Sequence, residues 1–365
     1  MKIFMDNIVF QLQKAGGISV YWAELIKRLV TSDLNTTFIE QSVQSGNIFR
    51  NQLSLDKKQI MYEKGLPLRL LRYLPLQLKI EGMSVFHSSY YRVCNQKHVV
   101  NIVTVHDFIY EYFSSGLKRL VHSSQKKKAL EFADGIICVS ENTKTDLLKF
   151  YPWVDESRIK VIYNGVSADY FPVGSGSAEK SCFDNILTKK YMLYVGNRSV
   201  YKNFKSAVDV ISQLNDYVLV IVGGNTLSST EEHDLKSRLP HRYYHLKEPD
   251  NNELNLLYNN AHCLLYLSSY EGFGIPLVEA MKSGCPVVTT NAASIPEVIG
   301  NAGLIVDQNN VRDILEKIDS LDNVLFRNEV IESGYAQASK FSWDKCFDET
   351  IGFYEQASNR RDLNA

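Results

Sequence analysis

The sequence has no long apolar run, no surplus of charge and no paired-cysteine motif, and each lack closes off a class of function. The formal net charge is −1 and basic residues cluster only in short runs, so nothing draws the chain as a whole to nucleic acid. The longest apolar stretches fall well short of the ~20 residues a membrane span needs. The opening stretch Lys2 to Phe10 lacks the apolar core and small-residue cleavage site of a secretory signal. The six cysteines, Cys94, Cys138, Cys182, Cys263, Cys285 and Cys346, are scattered, and none forms CxxC. They read as reduced core thiols rather than zinc ligands or disulfides, which points to the cytosol. GxGxxG is absent, against a dinucleotide-dependent dehydrogenase. Neither a DxD pair nor a histidine cluster is present, so no metal site is expected.

What is present is a long alternation of short apolar runs and helical segments. At 365 residues the chain exceeds one ordinary core and suggests two domains, and 45% apolar with 22% charged residues fits a globular protein. KIFMD, TTFIE, SVFHS, NIVTV, GIICV and KVIYN form one set of strand candidates, and YMLYV, YVLVIV, YYHL, CLLYL, PVVTT and GLIVD a second. Strands alternating with helices predict parallel sheets covered by helices, hence an α/β fold. The stretch from Pro172 to Ser181, PVGSGSAEKS, reads as a linker by composition. The expected division is a first domain over 1–172, a second over 182–340, and a terminal helical segment over 341–365.

In open parallel sheets ligands bind beyond the carboxyl ends of the strands, so the residues that follow each run matter most. The densest such stretch is SSYEGFGIPLVE, Ser268 to Glu279. It follows the uncharged run CLLYL. Gly272 and Gly274 allow a tight turn, Pro276 suits the first position of a helix, and Gly284 and Pro286 end that helix. Glu271 is expected in the loop and Glu279 in the first helical turn. The amides of 274–278 are expected to lack helical acceptors and to offer donors to an anionic or hydroxyl-rich ligand. A glutamate in a first turn is commonly there to complement the helix dipole, and for Glu279 alone that plainer reading is preferred. Two glutamates eight positions apart around GFGIP are hard to obtain from capping needs alone.

EGFGIPLVEAM resembles the EX7E signature of the family 4 retaining glycosyltransferases, which have the GT-B fold: two Rossmann-like doubly wound domains facing across a cleft. The resemblance extends over nearly the entire chain. It implies that Glu271 lies near the donor sugar, that Glu279 binds the ribose of the nucleotide, and that Phe273 and Gly274 offer backbone donors to sugar and diphosphate. It also implies that the final helix candidate, Ser342 to Ala357, returns to the first domain, and that no catalytic metal or cofactor is used beyond the nucleoside diphosphate sugar as co-substrate.

Gly16 and Gly17 precede ISVYWAELIKRLV, in which Ile18, Trp22, Leu25 and Leu29 keep helical spacing. Alone the pair reads as a plain turn; the family has a glycine loop here near the donor diphosphate. Arg198 and Lys202 follow a strand in YVGNRSVYKNF, where cations would neutralise a departing diphosphate. Taken singly each reads as a solvated surface charge. The family pattern sets an arginine directly after the glycine, a slot held here by Asn197, with Arg198 one place later. His106, at a strand end in TVHDF, is by itself more often a hydrogen-bonded structural residue than a catalyst; the HD pair resembles the family's donor-sugar contact. Asp107 is read as supporting the loop.

The segment Lys64 to Lys79 mixes leucines with Lys64, Arg69, Arg72 and Lys79, and Lys118 to Lys128 adds five basic residues. Both suit peripheral contact with the cytoplasmic membrane face, although leucine-rich helices more often cover a core.

The expected activity is transfer of a mannose- or glucose-type hexose, with retention, from a nucleoside diphosphate sugar to a carbohydrate or lipid-linked glycan acceptor in surface polysaccharide assembly. Two rivals stand beside it: a sugar-nucleotide epimerase, and a catalytically silent sugar-nucleotide-binding partner of a glycan-assembly complex. The nucleotide base is expected to be read by backbone groups near Leu246 to Glu248.

Overall fold

The computed structural model describes residues 1–63, 66–174 and 183–364, the side chains of 362–364 excepted. Lys64, Cys182 and most of the expected linker lie outside the described residues. The chain divides into two compact units, Met1–Asn164 joined by the terminal helix from Trp343, and Gly165–Ser342. The second unit therefore starts before the linker expected from composition. The reason is a set of side-chain amides: Asn255 accepts from the Phe171 amide at 3.1 Å and Asn259 from the Val173 amide at 2.7 Å, tying the segment to helix Asn251–Asn260.

The first unit is built on seven strands: β1 (Lys2–Asp6), β2 (Asn35–Glu40), β3 (Ile60–Tyr62), β4 (Ser84–Ser88), β5 (Val99–Val105), β6 (Gly135–Cys138) and β7 (Ile159–Val161). Their order is β3-β2-β1-β4-β5-β6-β7, with every pairing parallel. Because β1 is flanked by β2 and β4, the chain changes winding direction there, and a crevice opens beyond the ends of β1 and β4. Phe4, Ile39, Phe86 and Val99 meet Leu76 and Ile80 in one buried cluster. The terminal helix Trp343–Asn364 belongs to this unit and closes its sheet: Tyr354 Oη lies 2.5 Å from His87 Nδ1 on β4, and Arg361 pairs with Asp134 at 2.5 Å. Gly135 makes that approach feasible, since a Cβ there would stand 2.8 Å from both Ile102 and the Phe353 ring.

The second unit carries β8 (Tyr191–Val195), β9 (Val218–Val222), β10 (Tyr243–Leu246), β11 (Cys263–Tyr266), β12 (Val287–Thr290) and β13 (Gly303–Val306). The order β10-β9-β8-β11-β12-β13, again parallel, places the change of winding between β8 and β11. The near-continuous apolar runs of β8, β9, β11 and β12 follow from burial on both faces, whereas the edge strands β10 and β13 are largely half-buried. Met192, Leu219, Ile221, Leu265 and Val288 pack with Ala207, Val208 and Ile211 of helix Phe204–Ser212 and with Ile314 and Ile318 of helix Val311–Ser320. Each such side chain removed from water contributes about 1.5–3 kcal/mol before the entropy of ordering is subtracted.

Cys94, Cys138, Cys263, Cys285 and Cys346 are buried free thiols. No helix among the described residues is long and apolar enough to cross a membrane. In the leucine-rich segment, Leu71 and Leu76 are buried whereas Leu70 and Leu74 remain exposed, as do Leu117 and Leu120 on helix Gly116–Phe132.

Candidate active site

The loops that follow β8 and β11 flank the change of winding in the second sheet, and they bring Lys202 and Glu271 together. Lys202 ends the short turn Val200–Lys202, and its Nζ lies 2.5 Å from Glu271 Oε1 and 3.2 Å from Tyr266 Oη. The ammonium also faces the Tyr266 ring, 5.0 Å from its centroid. Both charged side chains are largely shielded, at 12% and 9% exposure, so the attraction is screened little by water. Three contacts fix the frame around the pair. Ser269 N donates to Tyr201 O at 2.7 Å, Ser294 Oγ donates to Glu271 O at 2.9 Å, and Asn203 Nδ2 donates to Leu267 O at 2.8 Å.

Helix Ile275–Lys282 begins one residue earlier than the sequence suggests, because Gly274 takes the left-handed conformation at φ 96° and acts as its N-cap. A Cβ at Gly274 would stand 2.8 Å from Leu277 Cδ1, so the turn requires glycine on two grounds. Pro276 is accordingly the second helical residue, not the first. Glu279 is the fifth and lies beyond the first turn, which removes the dipole-complementing reading of this side chain. The row of open amides expected over 274–278 is also shorter. Pro276 has no N–H, and Leu277 donates to Gly274 O at 3.0 Å.

Glu279 instead faces two phenols. Tyr258 Oη donates to Glu279 Oε2 at 3.1 Å, and the Tyr170 phenol, whose Oη donates to Asn251 Oδ1 at 3.4 Å, stands near the same carboxylate. Burial of the carboxylate pushes its pKa up to about 7, opposed by the neighbouring phenols. Phe273 is buried with its ring edge against Phe341, 5.5 Å between centroids.

Arg198 is held in a network of its own. Nε pairs with Glu231 at 2.8 Å, and Nη2 donates to Asn225 O at 2.6 Å. Glu231 in turn completes the capping box of helix Ser229–Arg238 with Ser228. Gly224, at φ 73°, leaves room for the guanidinium, since a Cβ there would stand 2.7 Å from Arg198 Nη1. At the end of β10, Gly223 N donates to Leu246 O at 2.8 Å.

In the first unit, Gly16 is the N-cap of helix Gly17–Thr31 at φ 156° and ψ 166°, where a Cβ would stand 2.9 Å from Gln13 Oε1. Trp22, Leu25 and Leu29 are buried on that helix, and Trp22 Nε1 donates to Asn7 Oδ1 at 2.8 Å just past β1. His106 follows β5 with its ring edge to Tyr21, 5.1 Å between centroids. Burial, then the nearby Lys126 charge, pushes its pKa down to about 3, so it is a neutral imidazole at physiological pH. Asp107 caps the next turn by accepting from Ile109 N at 3.0 Å. Lys126 Nζ donates to the Asp107 carbonyl at 2.9 Å and pairs with Glu111.

Two family models match the chain, Glycosyltransferase Family 4 over residues 15–170 and Glycosyl transferases group 1 over residues 179–336. The chain is also 27% identical to O-antigen chain mannosyltransferase B of Escherichia coli over 371 residues, covering 93% of this chain and 96% of that protein. It is 30% identical to O-antigen chain mannosyltransferase RfbU of Salmonella typhimurium over 247 residues, covering 64% and 67%. The chain belongs to the family 4 glycosyltransferases. Its fold is GT-B, as the likeness to solved structures shows. Sucrose-phosphate synthase from Thermosynechococcus elongatus matches at TM-score 0.74 and 16% identity, covering 98% of both chains. HepE from Anabaena, solved with UDP-glucose, matches at 0.73 and 16%, covering 98% of this chain and 100% of that one.

In this family 4 glycosyltransferase the sequence singled out Lys202, Glu271 and Glu279 but not the residues that hold them. Tyr266 was hidden inside an apolar strand run. Tyr258 and Tyr170 lie 21 and 109 positions from Glu279 and carry no motif, and Ser294 is a lone serine.

Proposed function

We propose that this glycosyltransferase moves a mannose- or glucose-type hexose from a nucleoside diphosphate sugar to a carbohydrate or lipid-linked glycan acceptor, with retention of anomeric configuration, in surface polysaccharide assembly. The Lys202–Glu271 pair at the change of winding in the second sheet carries the reading. It supplies a cation held in place before the donor arrives, so little reorganisation is needed as negative charge grows on the departing diphosphate. Glu271, fixed through its own carbonyl by Ser294, orients the donor sugar beside that cation. Glu279, between Tyr258 and Tyr170, accepts from the ribose hydroxyls. Gly16, Gly17, Phe273 and Gly274 provide close backbone approach and amide donors for phosphate and sugar, and His106, held neutral, accepts or donates a hydrogen bond to the sugar without adding charge. Arg198 shapes the loop above β9 through Glu231 and contributes positive potential to the diphosphate.

The two curated relatives described above are named as O-antigen mannosyltransferases, which favours mannose among the hexoses and a polysaccharide as the end product. The reaction is assigned to the cytoplasm, with exposed Leu70, Leu117 and Leu120 beside Arg69, Lys118 and Arg119 giving peripheral contact with an anionic membrane face. No flotation with anionic vesicles at low salt would contradict that contact.

Lys202→Ala is expected to lower kcat about 100-fold with donor KM changed much less, since one stabilising donor at a developing charge is worth ~3 kcal/mol. Glu279→Ala is expected to weaken nucleotide binding with less effect on kcat. Unaltered kinetics in both variants would refute the assignment.

A further inference from the structure

The loop that carries Gly16 and Gly17 is exposed at its tip, yet its stem is gripped by a second segment that follows β2. Residues 13–16 join the short helix Val9–Leu12 to helix Gly17–Thr31, and Lys14, Ala15 and Gly17 face solvent. Residues 44–48 lie against this stretch through a row of hydrogen bonds. Ser45 Oγ donates to Phe10 O at 2.8 Å, Asn47 Nδ2 to Gln13 O at 2.9 Å, Ile48 N to Lys14 O at 3.0 Å, and Gln11 Nε2 to Gln44 O at 3.1 Å.

Asn47, in the middle of the row, is fully buried. Its Oδ1 accepts from Phe49 N and Arg50 N, both at 3.0 Å, and so caps the short helix Ile48–Asn51. Its Nδ2 reaches the other way, to the Gln13 carbonyl. A longer tether starts from the same segment: Arg50 pairs with Glu40 at 2.5 Å, Glu40 accepts from Asn7 Nδ2 at 3.2 Å, and Asn7 holds Trp22 on helix Gly17–Thr31. Within the loop, Gln13 Nε2 donates to Ser19 Oγ at 2.9 Å across the glycine pair.

Helix capping explains only half of Asn47. A cap requires the side-chain oxygen, which serine supplies equally well, and leaves the amide without a task. Nor does the segment cover a core here, since Ser42, Val43, Gln44 and Gly46 are exposed. What its bonds share is the chain of residues 10–14, immediately before the two glycines. A loop containing glycines loses much conformational freedom on ordering, and tying its stem beforehand reduces the entropy lost when a ligand binds.

We propose that Asn47 is a positioning residue for donor binding: through the Gln13 carbonyl, with Ser45 and Ile48 beside it, it presets the glycine loop to receive the second phosphate of the nucleoside diphosphate. This role rests on the reading of Gly16 and Gly17 as donor contacts. Asn47, being fully buried, acts through the loop and does not touch the donor.

Calorimetric binding of GDP, GMP, UDP and UMP to the full-length protein separates the second phosphate from the rest of the nucleotide. Asn47→Ser keeps an oxygen to cap helix Ile48–Asn51 and removes the amide. It is expected to weaken the diphosphate of the preferred base roughly tenfold and the matching monophosphate less than about twofold, as loss of aligned donors to an anion implies. Ser45→Ala, at a half-buried position, should shift the same ratio in the same direction by a smaller factor, and it keeps the test open if Asn47→Ser fails to fold. Amide exchange at Ile48 and Val20, which donate to the carbonyls of Lys14 and Gly16, should quicken in both variants. Equal weakening of diphosphate and monophosphate overturns the proposal, as does unchanged exchange at both amides. Diphosphate binding that ignores both substitutions also overturns it and leaves the donor reading standing, whereas a wild-type protein that binds none of the nucleotides refutes the donor reading and this role of Asn47 with it.

Discussion

Glu279 shows how a single side chain acquires a function its sequence context conceals. Its place within EX7E was legible, but its partners were not, because Tyr258 and Tyr170 reach it only through tertiary packing. Its burial, opposed by those phenols, gives it a testable titration. The carboxylate has a pKa of about 7 in the folded protein against an ordinary value of 4.5, so the folded form holds its proton more tightly than the unfolded chain. The stability contributed by protonation is complete below about pH 4.5 and is lost as pH rises through about 7. Glu279→Gln should therefore stabilise the protein at pH 8 and leave it unchanged at pH 4 in thermal unfolding. If the carboxylate binds ribose hydroxyls, wild-type affinity for nucleotide should also climb between pH 6 and 8, and the climb should vanish in the same variant. Lys202 offers the complementary case: removing it leaves the Glu271 carboxylate shielded from water without the cation it pairs with, so Lys202→Ala should lower stability as well as turnover.

Among the elements, the buried strands were legible because their apolar runs are continuous, and all of β8 to β13 match the runs read from sequence to within a residue or so. β3 was missed. It spans three half-buried residues at a sheet edge, and only its pairing with β2 makes it a strand. Helix Ile275–Lys282 was legible in kind but displaced in start, since a left-handed Gly274 rather than Pro276 decides where it begins. Gly274→Ala is expected to destabilise by about 1–3 kcal/mol, through both its positive φ and the Leu277 contact, measurable as a lower Tm. Gly135→Ala should act similarly on the first unit by pressing Phe353 of the terminal helix away from β6. An unchanged Tm in either variant would contradict the packing described.

For the whole molecule, the alternation of strand and helix and the EX7E stretch together disclosed two parallel sheets and a family. Composition did less well at the boundary, because Tyr170 and Phe171, expected in the first domain, and Val173, in the expected linker, are bound to the second unit by asparagine side chains. The terminal helix is part of the first unit through Tyr354, Phe353 and Arg361, so ending the chain at Ser342 should expose the His87 region and lower the first unit's protection in hydrogen exchange. The most direct test of the central claim is NMR of the product formed from α-linked nucleoside diphosphate hexoses with a mannosyl acceptor. The account predicts a new glycosidic bond in the α configuration, formed about 100-fold more slowly by Lys202→Ala. A β-linked product, or an isomerised donor without a new bond, would contradict it.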